Sequence, residues 1–162
     1  YNEIYTSFVF VQYKALESDK GYRPDAQLAA EIQRMDTLLD HAGHLVTTEC
    51  SGFRLHGNPF FLKLCPRIDF APESTELTKG MYIPLEYWKI LESSGQIAGP
   101  RGGKIVTYDN VGRHLSNSEF ATLVLKAWVG STPSQSSVLE PLIRDTIASG
   151  KAVIYAVKKP NK

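Results

Sequence analysis

The chain has 162 residues, of which 43% are apolar and 22% charged, with a net charge of +1. Those values describe one globular domain with a core of its own, and they exclude a disordered tail, a collagen-like repeat and a coiled coil. The longest apolar runs, such as Phe8 to Val11, are far shorter than the ~20 residues a bilayer helix needs.

Charge is unevenly spread. Residues 1–100 carry 9 basic and 13 acidic groups, and residues 101–162 carry 9 basic and 4 acidic. A basic C-terminal third favours an anionic partner, nucleic acid included. A chain that begins at Tyr1 rather than Met is expected to have been processed or trimmed, and composition assigns it no compartment. Cys50 and Cys65 would close one disulfide in an oxidising compartment, worth about 3 kcal/mol, and would remain thiols in a reducing one.

In the first segment Ile4, Phe8, Val11 and Ala15 recur at helical spacing, as do Tyr5, Val9 and Leu16. Although FVFV has the composition of a strand, the spacing predicts a helix that stops at Gly21. Pro24 then breaks the chain, and Asp25 is placed to cap a second helix. Leu28, Ile32, Met35, Leu39 and Ala42 make its apolar stripe, and Gly43 supplies the stop.

Beyond Gly43 the pattern turns to strand. Leu45 to Thr48 reads as one. In PFFLKLCPRIDF, Phe60, Leu62, Leu64, Ile68 and Phe70 share one parity and Phe61, Lys63, Cys65, Arg67 and Asp69 the other, which predicts a half-buried strand. Pro66 predicts that this strand is an edge or is broken there. Pro84 and Gly95 bracket a short helix. Lys104 to Tyr108 reads as a strand and Asp109 to Gly112 as a turn.

Ser116 and Glu119 form a capping-box pattern ahead of a helix that, with only Thr122 and Lys126 polar between Phe120 and Val129, should be buried nearly all round and end at Gly130. A last helix carries Leu139, Leu142, Ile143 and Ile147, with Pro141 in its first turn and Gly150 at its end. Ala152 to Val157 is a final strand, and residues 158–162 are a short basic tail. APES, SSGQIAGPRGG and GSTPSQSS read as surface loops. The order predicts a single α+β domain over residues 1–162, with a mostly antiparallel sheet of about four to six short strands covered by about four to five helices.

Candidate chemistry is sparse. His41, His44, Cys50 and Cys65 are potential zinc ligands by type. If Gly43 ends the helix, however, the two histidines do not share a helical face, and the cysteines lack zinc-finger spacing, so no metal is expected. GPRGGK resembles a phosphate loop in composition, but Lys104 is followed by strand rather than by Ser or Thr and a helix, which excludes a nucleotide P-loop. Arg101 and Lys104 remain as loop cations, and Arg113 with His114 as a candidate anion contact. No nucleophile elbow or other coherent catalytic set is present, and no cofactor is expected.

Tyr87 and Trp88 are adjacent, so a short helix cannot bury both equally, and exposed Trp or Tyr is a frequent anchor of protein interfaces. The sequence therefore predicts a non-enzymatic interaction or accessory domain, binding another protein near Met81–Leu91, the loop 96–104 or the first helix through Tyr87, Trp88, Arg101 and Lys104. The alternative is a nucleic-acid-binding domain using the basic C-terminal third, whose two helices and following strand vaguely resemble a winged helix-turn-helix. A third reading comes from EFATLVLKAWVGSTP: with Phe120, Trp128, Gly130 and Pro133 it resembles a C-terminal segment of bacterial chalcone-isomerase-like proteins, over at most about a quarter of the chain. That resemblance implies a domain that binds a small apolar ligand between sheet and helices, and it carries over no catalytic residue.

Overall fold

A computed structural model of the chain describes residues 7–17, 20–43, 50–66 and 79–148. In order the elements are β1 (Phe10–Leu16), α1 (Ala26–Ala42), a single 3-10 turn (Cys50–Gly52), β2 (Phe60–Pro66), β3 (Met81–Pro84), α2 (Leu85–Ser94), α3 (Asn117–Leu125) and α4 (Pro133–Ala148). The α+β class is as expected. The sheet differs: among the described residues it has three strands in the order β1-β2-β3, with β1 and β2 parallel and β2 and β3 antiparallel. The strands expected at Leu45–Thr48 and Ala152–Val157, and the basic tail, lie outside the described residues.

The first segment is a strand, not a helix. Its register against β2 runs from Phe10 opposite Phe60 to Leu16 opposite Pro66. Both faces of β1 meet core: Phe10 packs on one side of the sheet and Val9 and Val11 on the other. A strand that is apolar on both faces supplies residues at every spacing, including three and four, so the helical period was an accident of mixed parity. The same effect corrects β2. It is buried on both faces from Phe60 to Cys65, because it is the central strand, and it ends at Pro66.

Joining two parallel strands requires a crossover, and α1 lies within it. Asp25 accepts a bond from the Leu28 amide at 2.8 Å, and Leu28, Met35, Leu39 and Ala42 are buried. Gly43 ends the helix with φ 79°, donating its amide to the Leu39 carbonyl at 2.9 Å. On this side of the sheet Leu62, Leu64, Met81 and Ile83 pack with Leu28, Met35 and Leu39 of α1 and Leu85, Trp88 and Leu91 of α2 into one apolar cluster.

Among the described residues the opposite face carries the smaller cluster. Phe61 and Tyr82 are covered by Phe120 of α3, with Tyr82 and Phe120 stacked at 3.9 Å and Phe61 edge-on at 5.1 Å. The Ser116–Glu119 capping box forms as the sequence predicts. The helix nevertheless stops at Leu125, and Phe120 is its one buried residue among those described. Two bonds close it, Ala127 N–H to Val124 O at 3.0 Å and Trp128 N–H to Leu123 O at 2.9 Å. They form a Schellman stop, in which Ala127 takes the left-handed position usually given to glycine, with φ 56°.

Lys104–Tyr108 forms no strand, only bridges: Lys104 with Ala98, and Val106 with Tyr22. α4 begins eight residues before Pro141, which sits inside the helix rather than in its first turn. The cause is a second capping box in the stretch read as a loop. Thr132 N–H donates to Gln135 Oε1 at 2.9 Å, and Gln135 N–H donates to Thr132 Oγ1 at 3.3 Å, with Pro133 first in the helix. The residues just before it pair with the start of β1: Ser131 N–H donates to Phe8 O, and Phe8 N–H to Ser131 Oγ, both at 2.8 Å.

Candidate functional site

The loop between the 3-10 turn and β2, SGFRLHGNP, is tied down at several points. Leu55 N–H donates to Trp128 O at 2.8 Å. The Phe53 ring meets the Trp128 ring edge-on, centroids 6.0 Å apart. Gln135 Nε2, in the first turn of α4, donates to Gly57 O at 3.1 Å and to Gly43 O at 3.0 Å, joining this loop to the end of α1.

The fourth tie is a polar chain. Glu86, in the first turn of α2, accepts His56 Nε2–H at 2.6 Å with one oxygen and the Asn58 amide with the other. Asn58 is buried, and its own oxygen accepts the Phe60 amide at 2.9 Å, so the arrangement is fixed to the first residue of β2. The bond to Glu86 raises the His56 pKa above its usual value, against the opposing effect of burial. Burial pushes Glu86 up, but the bonds from His56 and Asn58 outweigh it and leave the carboxyl below its usual value. Both groups are therefore charged together over a widened pH interval.

What this frame displays is apolar. Phe53 is 51% exposed, Leu55 60%, Trp128 41%, and Leu125, in the last turn of α3, 57%. Segments 50–59 and 120–132 contain Arg54 and Lys126 and no Asp or Glu. Arg54 Nη1 donates to Phe53 O at 2.8 Å, and burial lowers its pKa.

The residues singled out from the sequence are scattered. Trp88 is fully buried in the core against Tyr22, so it cannot serve as a surface anchor: in a helix packed flat on a sheet it takes the inward position. Tyr87 is half-buried and structural, its hydroxyl donating to Val111 O at 2.8 Å and accepting Arg113 N–H at 3.3 Å. Arg101 is exposed, and Lys104 pairs with Glu92 at 3.4 Å. The His114 ring lies edge-on to Tyr108 at 5.7 Å, and no contact joins it to the Arg113 side chain. His41 Nδ1–H donates to Thr37 O at 2.7 Å, and His44 lies outside the described residues. Cys50 is exposed, Cys65 is buried, and no disulfide joins them. Among the described residues no three His, Cys, Asp or Glu side chains are grouped as a metal would need, and no helix is long and apolar enough to cross a membrane.

The sequence reading passed over Phe53, Leu55, His56, Asn58 and Glu86, and it took Trp128 for core. The signal was present in GFRLHGN: apolar residues inside a glycine-bounded loop, where a solvated loop would be polar. Compared with models of known protein families, with curated proteins and with solved structures, the chain matches none.

Proposed function

We propose that the chain is a non-enzymatic protein-interaction domain whose docking surface is Phe53, Leu55, Leu125 and Trp128. The observation that supports it is the fixed display of these side chains. Large apolar groups exposed on a braced loop mark interaction surfaces, and prior ordering reduces the entropy lost on binding. The non-glycine left-handed residue Ala127 lies next to Trp128, and strain of that kind is concentrated at functional sites.

The partner is a protein segment with apolar side chains flanked by acidic ones. Arg54 and Lys126 border the patch, and Glu86, a carboxylate that reaches the loop, is occupied by His56 and Asn58. The nucleic-acid reading has less support, since Lys104 and Arg144 are paired with Glu92 and Glu140.

A random peptide library selected against the full chain tests the reading. Acidic, apolar sequences are expected to be enriched, and Trp128→Ala should weaken their binding by about tenfold or more, as an interface anchor does. A basic consensus, or binding indifferent to both Trp128→Ala and Phe53→Ala, removes the proposal.

A further inference from the structure

The second face of the sheet holds a lysine where its neighbours are apolar. Lys63 is 1% exposed, at the centre of β2. Its cross-strand neighbours are Tyr13 on β1 and Tyr82 on β3, in register on either side. Nζ lies 4.7 Å from the Tyr82 ring centroid and 5.4 Å from that of Tyr13. Cys65 follows on the same face.

A buried ammonium ordinarily finds a carboxylate. Lys14 on the opposite face does so, meeting Glu31 at 2.6 Å. Among the described residues no carboxylate pairs with Lys63. Among the described residues the groups that face it are Tyr13, Tyr82 and Cys65, all neutral in their ordinary states at neutral pH. The π faces favour the cation, but loss of water outweighs them and holds the Lys63 pKa below its usual value, with nearby Cys65 pulling weakly the other way. Burial raises the pKa of both tyrosines, which keeps them protonated and uncharged.

We propose that Lys63 is a nucleophilic lysine, and that the sheet face around it takes a small carbonyl compound as an imine. A desolvated amine without a carboxylate is the form in which lysine attacks carbonyls. The nitrogen lone pair forms the C–N bond, and the carbonyl oxygen leaves as water with the amine's two protons, so no oxidant or reductant is required. One wall of the site is closed, since a Cβ at Gly80 would meet Leu64 O at 2.6 Å and the Lys63 stem at 3.0 Å. Tyr13, on β1 and 36% exposed, is the wall that faces solvent.

The test is reductive alkylation of the full chain at about neutral pH, with limiting propanal and cyanoborohydride, followed by mass-spectrometric mapping. Lys63 is expected to be alkylated faster than exposed Lys126. Unfolding in concentrated urea should abolish the preference. Lys63→Met should remove the fast site and leave peptide binding at Trp128 unchanged, so this result and the docking surface fail separately. Lys63 reacting no faster than Lys126, or a preference that persists in urea, overturns the proposal.

Discussion

The two faces of the sheet follow different rules. Against α1 and α2 the buried cluster is apolar, and Lys14, which lies opposite Leu64 on that face, reaches a carboxylate. Against α3 the buried cover among the described residues is Phe120 and Val129, a buried lysine stands among tyrosines, and the chain leaves the helix through a strained turn with a tryptophan exposed. The first face is built for stability. The second carries the features that stability does not explain. Trp88 and Trp128 mark the difference, one wholly buried and the other 41% exposed.

The largest expected effect sharpens that pair. Trp88→Ala should destabilise the fold by about 3–5 kcal/mol, the usual result of emptying a large aromatic site in a packed core. Trp128→Ala should cost no more than about 1 kcal/mol, because its ring already meets water. Paired denaturant titrations would decide, and equal losses would erase the distinction between the faces. Trp88→Phe should cost less than Trp88→Ala, since the indole N–H is buried without a partner among the described residues.

Next is the join between α3 and β1. Gly130 has φ 117°, and a Cβ there would meet Ser7 Oγ at 2.5 Å and Phe8 O at 3.2 Å. Gly130→Ala should therefore lose about 2 kcal/mol, combining backbone strain with displacement of the Ser131–Phe8 pairing. A neutral substitution would show that α4 is not anchored to β1 in this way.

What the sequence disclosed divides along the same line. α1 was readable in full, because Asp25, the Leu28–Ala42 stripe and Gly43 each act within one turn of chain. The Ser116–Glu119 box was readable for the same reason. β1 was not, since its two-sided burial depends on β2, which is forty-four residues further on at Phe60. The tryptophans were exchanged because hydrophobicity alone does not say which face of a helix meets the sheet, or that Ala127 turns the chain outward. The Thr132–Gln135 box was a missed local signal, hidden by the Pro and Ser content of its neighbours. The docking loop was invisible as a site because its partners, Glu86, Trp128 and Gln135, come from three separate parts of the chain.

Ala127 reverses the usual direction of mutational change. A side chain in the left-handed region costs roughly 1–2 kcal/mol. Ala127→Gly should raise stability by up to about 1 kcal/mol, part of the relief being offset by the freer unfolded chain. Thermal unfolding would read it. A loss of stability would mean that the alanine methyl contributes packing larger than its strain. If the strain serves the patch, the same variant should also weaken peptide binding while stabilising the fold.

The smallest effect is the pH response of the docking loop. His56 is raised above its ordinary value of 6.5, so its share of the pairing is complete below about that pH and is lost as pH rises through the folded value. Glu86 is lowered from 4.5, so its share is complete above about that pH and is lost as pH falls through its folded value. The pair therefore contributes most between about pH 4.5 and 6.5. Both side chains are more than a third exposed, so solvent screening should hold the contribution below about 1 kcal/mol. His56→Gln should flatten the pH dependence of stability above that interval while keeping a donor for Glu86. An unchanged profile would show that the buried Asn58, rather than the imidazole, holds the loop, and that the patch is presented equally well when His56 is neutral.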